Sequence, residues 1–113
     1  MDINTKRLAS TYFRVIAKII KEEIKDSNLS LANVTDVVLS KDRKNLNVYV
    51  RFISQPNKSI KKLNLLKPLF QSRLSKALNI YKSPHILFKL DTTFEKAQKI
   101  EDILEKLEKE NKI

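Results

Sequence analysis

Residues 33 to 53 read NVTDVVLSKDRKNLNVYVRFI, and their pattern decides the architecture. Asn33 to Ser40 is rich in β-branched side chains, which suit a pleated strand. Lys41, Asp42, Arg43, Lys44 and Asn45 follow as a polar turn. From Leu46 the chain alternates, with Leu46, Val48, Val50 and Phe52 on one face and Asn47, Tyr49 and Arg51 on the other. A period of two after a short turn predicts an antiparallel hairpin.

Upstream, residues 5 to 26 repeat with helical period. Leu8, Tyr12, Val15, Ile16, Ile19 and Ile24 make an apolar stripe. Arg7, Arg14, Lys18, Lys21 and Lys25 recur on another face, within a band of roughly 60° at about 100° per residue. Asp26, Ser27 and Asn28 end this helix. Downstream, Gln55, Pro56, Asn57 and Lys58 close the second strand. Ile60, Leu63, Leu66, Phe70, Leu74, Ala77 and Leu78 then return to helical period, interrupted by Pro68. Proline lacks an N–H and disfavours helical geometry in the residue before it, which predicts a break at Lys67 and a second helix beginning at Pro68.

After Asn79 and Pro84, Ile86 to Leu90 reads as a short strand with Ile86, Phe88 and Leu90 on one face. Asp91, Thr92 or Thr93 can cap a last helix over residues 93 to 110. Its expected core face is Phe94, Ala97, Ile100, Ile103, Leu104 and Leu107. Its outer face carries Glu95 with Lys99, Asp102 with Lys106 and Glu105 with Lys109, which should neutralise one another at four-residue spacing. The order is α, β, β, kinked α–α, β, α. That predicts a single α+β domain, a three-stranded sheet with helices packed on one face, its core over about residues 5 to 107.

The chain has 113 residues, 42% apolar and 32% charged, which fits one soluble domain with little volume for a deep pocket. Cysteine is absent, so disulfides, thiolate metal sites and cysteine nucleophiles are excluded. Glycine is absent too, which removes the P-loop, the dinucleotide fingerprint and the GxxG loop of ordinary KH domains. Met1 to Lys6 has no apolar run, so no signal peptide is expected, and no segment approaches the ~18 apolar residues of a membrane span. A cytoplasmic location fits.

The net charge is +10 and unevenly placed. Residues 43 to 90 hold eleven basic side chains and no acid, whereas residues 91 to 113 hold seven acids and five bases. A single-sign segment costs self-repulsion, and a polyanion that neutralises it is the simplest reason to keep it.

Catalysis finds no constellation here. His85 is the single histidine, Asp36, Asp42 and Asp91 lie in different elements, and no Ser or Thr has a histidine at a telling position. No metal or cofactor is expected. The remaining signal is basic. Lys61, Lys62 and Lys67 flank the helix break, and Arg73 and Lys76 continue beyond it. A helix starting at Pro68 would also offer free backbone N–H groups and a positive dipole end to phosphate. With Arg7, Arg14, Lys18 and Lys21 of the first helix and Lys41, Arg43 and Lys44 of the turn, these are the candidate RNA-contacting residues. Tyr12, Tyr49 and Phe52 read as core or cross-strand partners, so phosphate and shape recognition is expected over base-edge readout.

The sequence also resembles a known family. Val34-Thr35-Asp36-Val37-Val38-Leu39-Ser40-Lys41-Asp42, followed by Leu46-Asn47-Val48-Tyr49-Val50, is similar to the hairpin signature of the ribosome-binding factor A family. Leu78 to Asp91, with Pro84 and then Phe88 and Asp91, is similar to its second signature, and the amphipathic first helix with Arg14 also fits. The resemblance spans residues 5 to 107. It implies a type II KH-like fold and a non-enzymatic factor that binds the small (30S) ribosomal subunit and its 16S rRNA. It further implies help in late maturation of the subunit and of the rRNA 5′ region, and importance for growth in the cold. A monomer is the expected state. Two positions depart from the family: Leu66-Lys67-Pro68 replaces an Ala-any-Gly kink sequence, and Arg43 replaces a hydrophobic residue. A generic basic nucleic-acid- or anionic-surface-binding module and a small hydrolase are the rival readings.

Overall fold

A computed structural model of the chain describes residues 2–111. Helix α1 (Ile3–Glu23) starts where the Asp2 carboxylate accepts the Thr5 amide N–H at 2.7 Å, an N-cap that uses one of the unpaired amides of the first turn. That bond, with the Thr5 hydroxyl second, holds Asp2 below the usual carboxylate range. A short α2 (Ser27–Ser30) follows, capped by Asp26, which accepts from the amides of Asn28 and Leu29. The sheet consists of β1 (Asn33–Leu39), β2 (Asn45–Arg51) and β3 (His85–Leu90) in that spatial order, β1 antiparallel and β3 parallel to β2. Parallel strands need a crossover, and here it is built from α3 (Pro56–Leu65) and α4 (Lys67–Leu78). Helix α5 (Thr93–Asn111) completes the described chain.

Leu46, Val48 and Val50 are fully buried, as the alternation predicts, and α1, α3 and α4 cover that face with Ile16, Leu63, Phe70 and Leu74. Phe70 meets Phe88 edge-on at 4.8 Å between ring centres. In β1 a bulge solves a spacing problem. Val34 pairs with Val50 and Asp36 with Tyr49, leaving Thr35 as the extra residue. Without it Val34 and Val37, three apart, would point to opposite faces; with it both are buried.

The hairpin turn is made without glycine. Arg43 takes a left-handed φ of 61°, while the Asp42 carboxylate accepts from the Ser40 hydroxyl at 2.6 Å and the Lys44 amide at 3.0 Å. Local acceptors of this kind are why Asp and Ser replace glycine in turns. The same two bonds, the hydroxyl first, depress the Asp42 pKa.

The helix break falls at Leu66, one residue before the expected Lys67, and α4 already begins at Lys67 with Pro68 exposed in its first turn. The start of α4 is not the row of free donors expected of it. Pro68 has no N–H, and the amides of Leu69 and Phe70 both donate to the Leu66 carbonyl. What sets the corner is packing on either side, since Leu63 and Phe70 are both fully buried, together with Asn64. The Asn64 side-chain amide donates to the Phe88 carbonyl at 3.0 Å and accepts the Phe88 N–H at 2.9 Å. It thereby stands in for a neighbouring strand along the open edge of β3. Asn64→Ala should leave both Phe88 groups unpaired, costing about 1–3 kcal/mol. Urea unfolding measures this; a loss below about 0.5 kcal/mol would mean that water replaces the amide at no cost.

Helix α1 spans 3–23 rather than 5–26, and α2 was not anticipated, because Asp26 reads equally as the end of one helix and the cap of the next. Ala77, expected on the apolar face, is exposed. The largest correction concerns α5. None of its residues is buried; Phe94, Ile100, Ile103, Leu104 and Leu107 are between 49% and 61% exposed, and Ala97 is exposed too. The helix projects from the body, giving a radius of gyration of 17.5 Å and a longest dimension of 65 Å, where a compact chain of this length would have a radius near 13 Å. The three expected Glu/Asp–Lys pairs on α5 are not closed to ion-pair distance, and Gln98 bonds Asp102 instead. Exposed pairs gain too little to fix two long side chains.

At the foot of α5, the Asp91 amide donates to the Val50 carbonyl and so extends the strand pairing. Its carboxylate accepts the Thr93 N–H at 2.9 Å. The nearby Thr35 hydroxyl, first, and the Thr93 hydroxyl and amide hold its pKa at about 2. Phe94 packs under the Arg51 guanidinium, 5.7 Å from the ring centre.

Candidate RNA-binding surface

On α1 the buried residues Thr5, Ala9, Tyr12, Ile16, Ile19 and Ile20 occupy one arc. At about 100° per residue, Arg7, Arg14, Lys18 and Lys21 lie on the opposite side, and all four are exposed. The helix is about 31 Å long at 1.5 Å per residue, long enough to follow several phosphates. Among the described residues none of these four has a carboxylate within ion-pair distance. Arg14 reaches only the Thr11 hydroxyl, at 3.4 Å.

The hairpin turn meets the first turn of α1. Arg43 donates to the hydroxyl of buried Thr5 at 3.4 Å, so one of the candidate cations ties the turn to α1 while Lys41 and Lys44 stay exposed beside it. The C-terminal end of α1 meets α3 and α4. There Lys62 pairs with Asp26 at 3.6 Å and Arg73 with Glu23 at 2.6 Å. These two cations therefore fasten the corner to the end of α1 and to α2, and their charge is already matched.

The corner residues do not form one patch. Lys67 and Arg73, six apart on α4, lie about 120° apart around the helix. Lys67 is half-buried, whereas Lys61 and Lys76 are exposed. The structure thus sets Arg7, Arg14, Lys18 and Lys21 along one face of α1, ties the turn that carries Lys41, Arg43 and Lys44 to the first turn of that helix through Arg43, and places Lys61, Lys67 and Lys76 on the other two helices. Asn64, Glu23 and Asp26 were missed as positioning residues. Asn64 was the legible one, being a weak helix former set between Leu63 and Leu65.

Among the described residues no three of His, Cys, Asp and Glu converge as metal ligands, and no helix is long and apolar enough to cross a membrane. Tyr12 is buried, which raises its pKa, and Tyr49 lies between Asp36 and Lys89 across the sheet.

A three-stranded sheet in this order, with paired crossover helices and a basic helix laid against it, defines the class: a small α+β domain of the KH-like, type II kind. Residues 4–104 match the family model for ribosome-binding factor A. Ribosome-binding factor A of Mycoplasmopsis pulmonis is 40% identical over 95 residues, covering 84% of this chain and 85% of that one. Ribosome-binding factor A of Mycoplasmopsis agalactiae is 34% identical over 109 residues, covering 96% of each. The crystal structure of ribosome-binding factor A from Thermus thermophilus superposes with a TM-score of 0.71 at 24% identity, over 76% of this chain and 93% of that one. Thermus thermophilus coordinates fitted into the cryo-EM map of a 30S complex superpose at 0.67 and 24% identity, over 76% and 93%. The chain belongs to the ribosome-binding factor A family.

Proposed function

We propose that this chain binds the small ribosomal subunit through its 16S rRNA and assists late maturation of the subunit and of the rRNA 5′ region. It acts by binding in the cytoplasm, without catalysis or cofactor. The observation that carries this reading is the unpaired basic stripe of α1, turned away from the core in a chain of this family. A related protein has been fitted into a 30S complex, which supports the subunit as the partner over nucleic acid in general. Phosphate contacts supply affinity and register, and the hairpin turn and the α3–α4 corner mark the two ends of the track.

The test is a charge reversal. Arg7→Glu, Arg14→Glu, Lys18→Glu and Lys21→Glu together should weaken binding to isolated small subunits roughly a hundredfold or more. All four are exposed, so melting should change little. The control reverses Lys96, Lys99, Lys106 and Lys109 on α5, an identical change in net charge. Equal loss from both variants would show that total charge, not this face, drives binding.

A further inference from the structure

Between α1 and the edge strand β1 runs an open groove of about 520 Å³, within the size range of small-ligand sites. Its floor is apolar, made by Ala9 and Phe13 of α1 and Val37 of β1, with Val38 next along the strand edge. Its two walls carry opposite charge. Lys6 and Arg14 stand on the helix side and Asp36 on the strand side. Neither cation has a carboxylate partner among the described residues. The groove therefore joins the basic stripe through Arg14 and leads from it to a lone acceptor.

We infer that this groove seats one unpaired nucleotide of the RNA strand that follows α1, its phosphate at Lys6 and Arg14, its base against Phe13 and Val37, and a base amino group on Asp36. The inference rests on the RNA-binding reading above and adds a base-selective position to it. Each part of a nucleotide finds its counterpart here in the right order: cation, apolar surface, anion. A phosphate is repelled from Asp36, which sets the direction in which the nucleotide enters. One Asp36 oxygen accepts the Val37 N–H at 2.9 Å, which orients the carboxylate and leaves its second oxygen as acceptor. A carboxylate accepts from the exocyclic amino group of cytosine. Uracil presents a carbonyl at that position, and its N3–H lies between two carbonyl oxygens that the carboxylate repels.

An extended peptide added to β1 is the competing occupant, and the strand is built against it. The bulge at Thr35 breaks the ladder, and the Val37 amide is already taken by Asp36. Interrupted edges of this kind resist strand addition.

The experiment compares oligocytidine and oligouridine of equal length, which differ at the C4 substituent and at N3, binding to the full chain by fluorescence anisotropy. Oligocytidine should bind about tenfold tighter, the scale of one hydrogen bond to a charged group. Asp36→Ala should collapse the ratio to near one; the ratio is read because losing an acid raises affinity for both. Ser10→Trp, at an exposed position lining the groove one turn from Lys6 and one turn from Arg14, fills it while leaving both cations and the core in place. It should also collapse the ratio while oligouridine binding persists. Equal affinity of the unaltered chain for the two oligomers overturns the inference and leaves the RNA-binding reading standing. No binding of either oligomer or of small subunits overturns both. Loss of subunit binding in Ser10→Trp with an unchanged oligomer ratio assigns the groove to a protein of the subunit and overturns the inference as well.

Discussion

Raising salt from about 50 to about 200 mM is expected to weaken binding to small-subunit rRNA roughly a thousandfold, if about six phosphates are neutralised. The candidates for those contacts are not all the cations. Lys62 and Arg73 already hold Asp26 and Glu23, and Arg43 is turned back to Thr5. Arg7, Arg14, Lys18 and Lys21 remain exposed along one face of α1, and Lys41 and Lys44 remain exposed on the hairpin turn. Each phosphate met by one of them releases a condensed counterion, and the gain from that release shrinks as bulk salt rises. The slope of affinity against salt concentration on a logarithmic scale measures the number of contacts. The stripe-reversed variant should show a flatter slope as well as weaker binding. A nearly flat slope for the unaltered protein would remove phosphate contact as the basis of recognition.

Phe70→Ala should destabilise the domain by about 3–5 kcal/mol, a large share of the roughly 5–15 kcal/mol that holds a domain folded. Phe70 is fully buried on α4 one turn beyond the corner, and its ring meets Phe88 of β3 at 4.8 Å. Removing it opens a cavity where helix and sheet meet, and it removes one of the two anchors that force the break at Leu66. At this size each kcal/mol lowers the melting temperature by about 4–8 °C, so thermal unfolding by circular dichroism should show a drop of at least about 12 °C. Phe94→Ala on α5 is the matched comparison. Phe94 is 61% exposed, and its truncation should stay within about 0.5 kcal/mol. Similar losses from both would mean that α5 packs on the body in solution.

The hairpin was legible because its alternation is local. Leu46, Val48 and Val50 face one way in any regular strand, and only one face can be dry, so the side that became the core followed from the residues alone. The basic stripe of α1 was legible for the same reason, since spacing along a helix places Arg7, Arg14, Lys18 and Lys21 together wherever the helix lies. The absence of glycine and cysteine removed phosphate-cradling loops and thiolate chemistry outright. The two family signatures then pointed to the right family.

Where a feature depends on two elements meeting, spacing was silent. The bulge at Thr35 exists because Val34 and Val37 must both reach the core. The pairing of Asn64 with Phe88 and of Lys62 with Asp26 joins residues far apart in the chain, so charge counting overstated the free cations at the corner. The apolar stripe of α5 has the same period as that of α1, yet α1 is buried and α5 is not. Period shows that a helix has an apolar face. Whether the face is covered depends on the space left on the sheet, and α1, α3 and α4 already fill it.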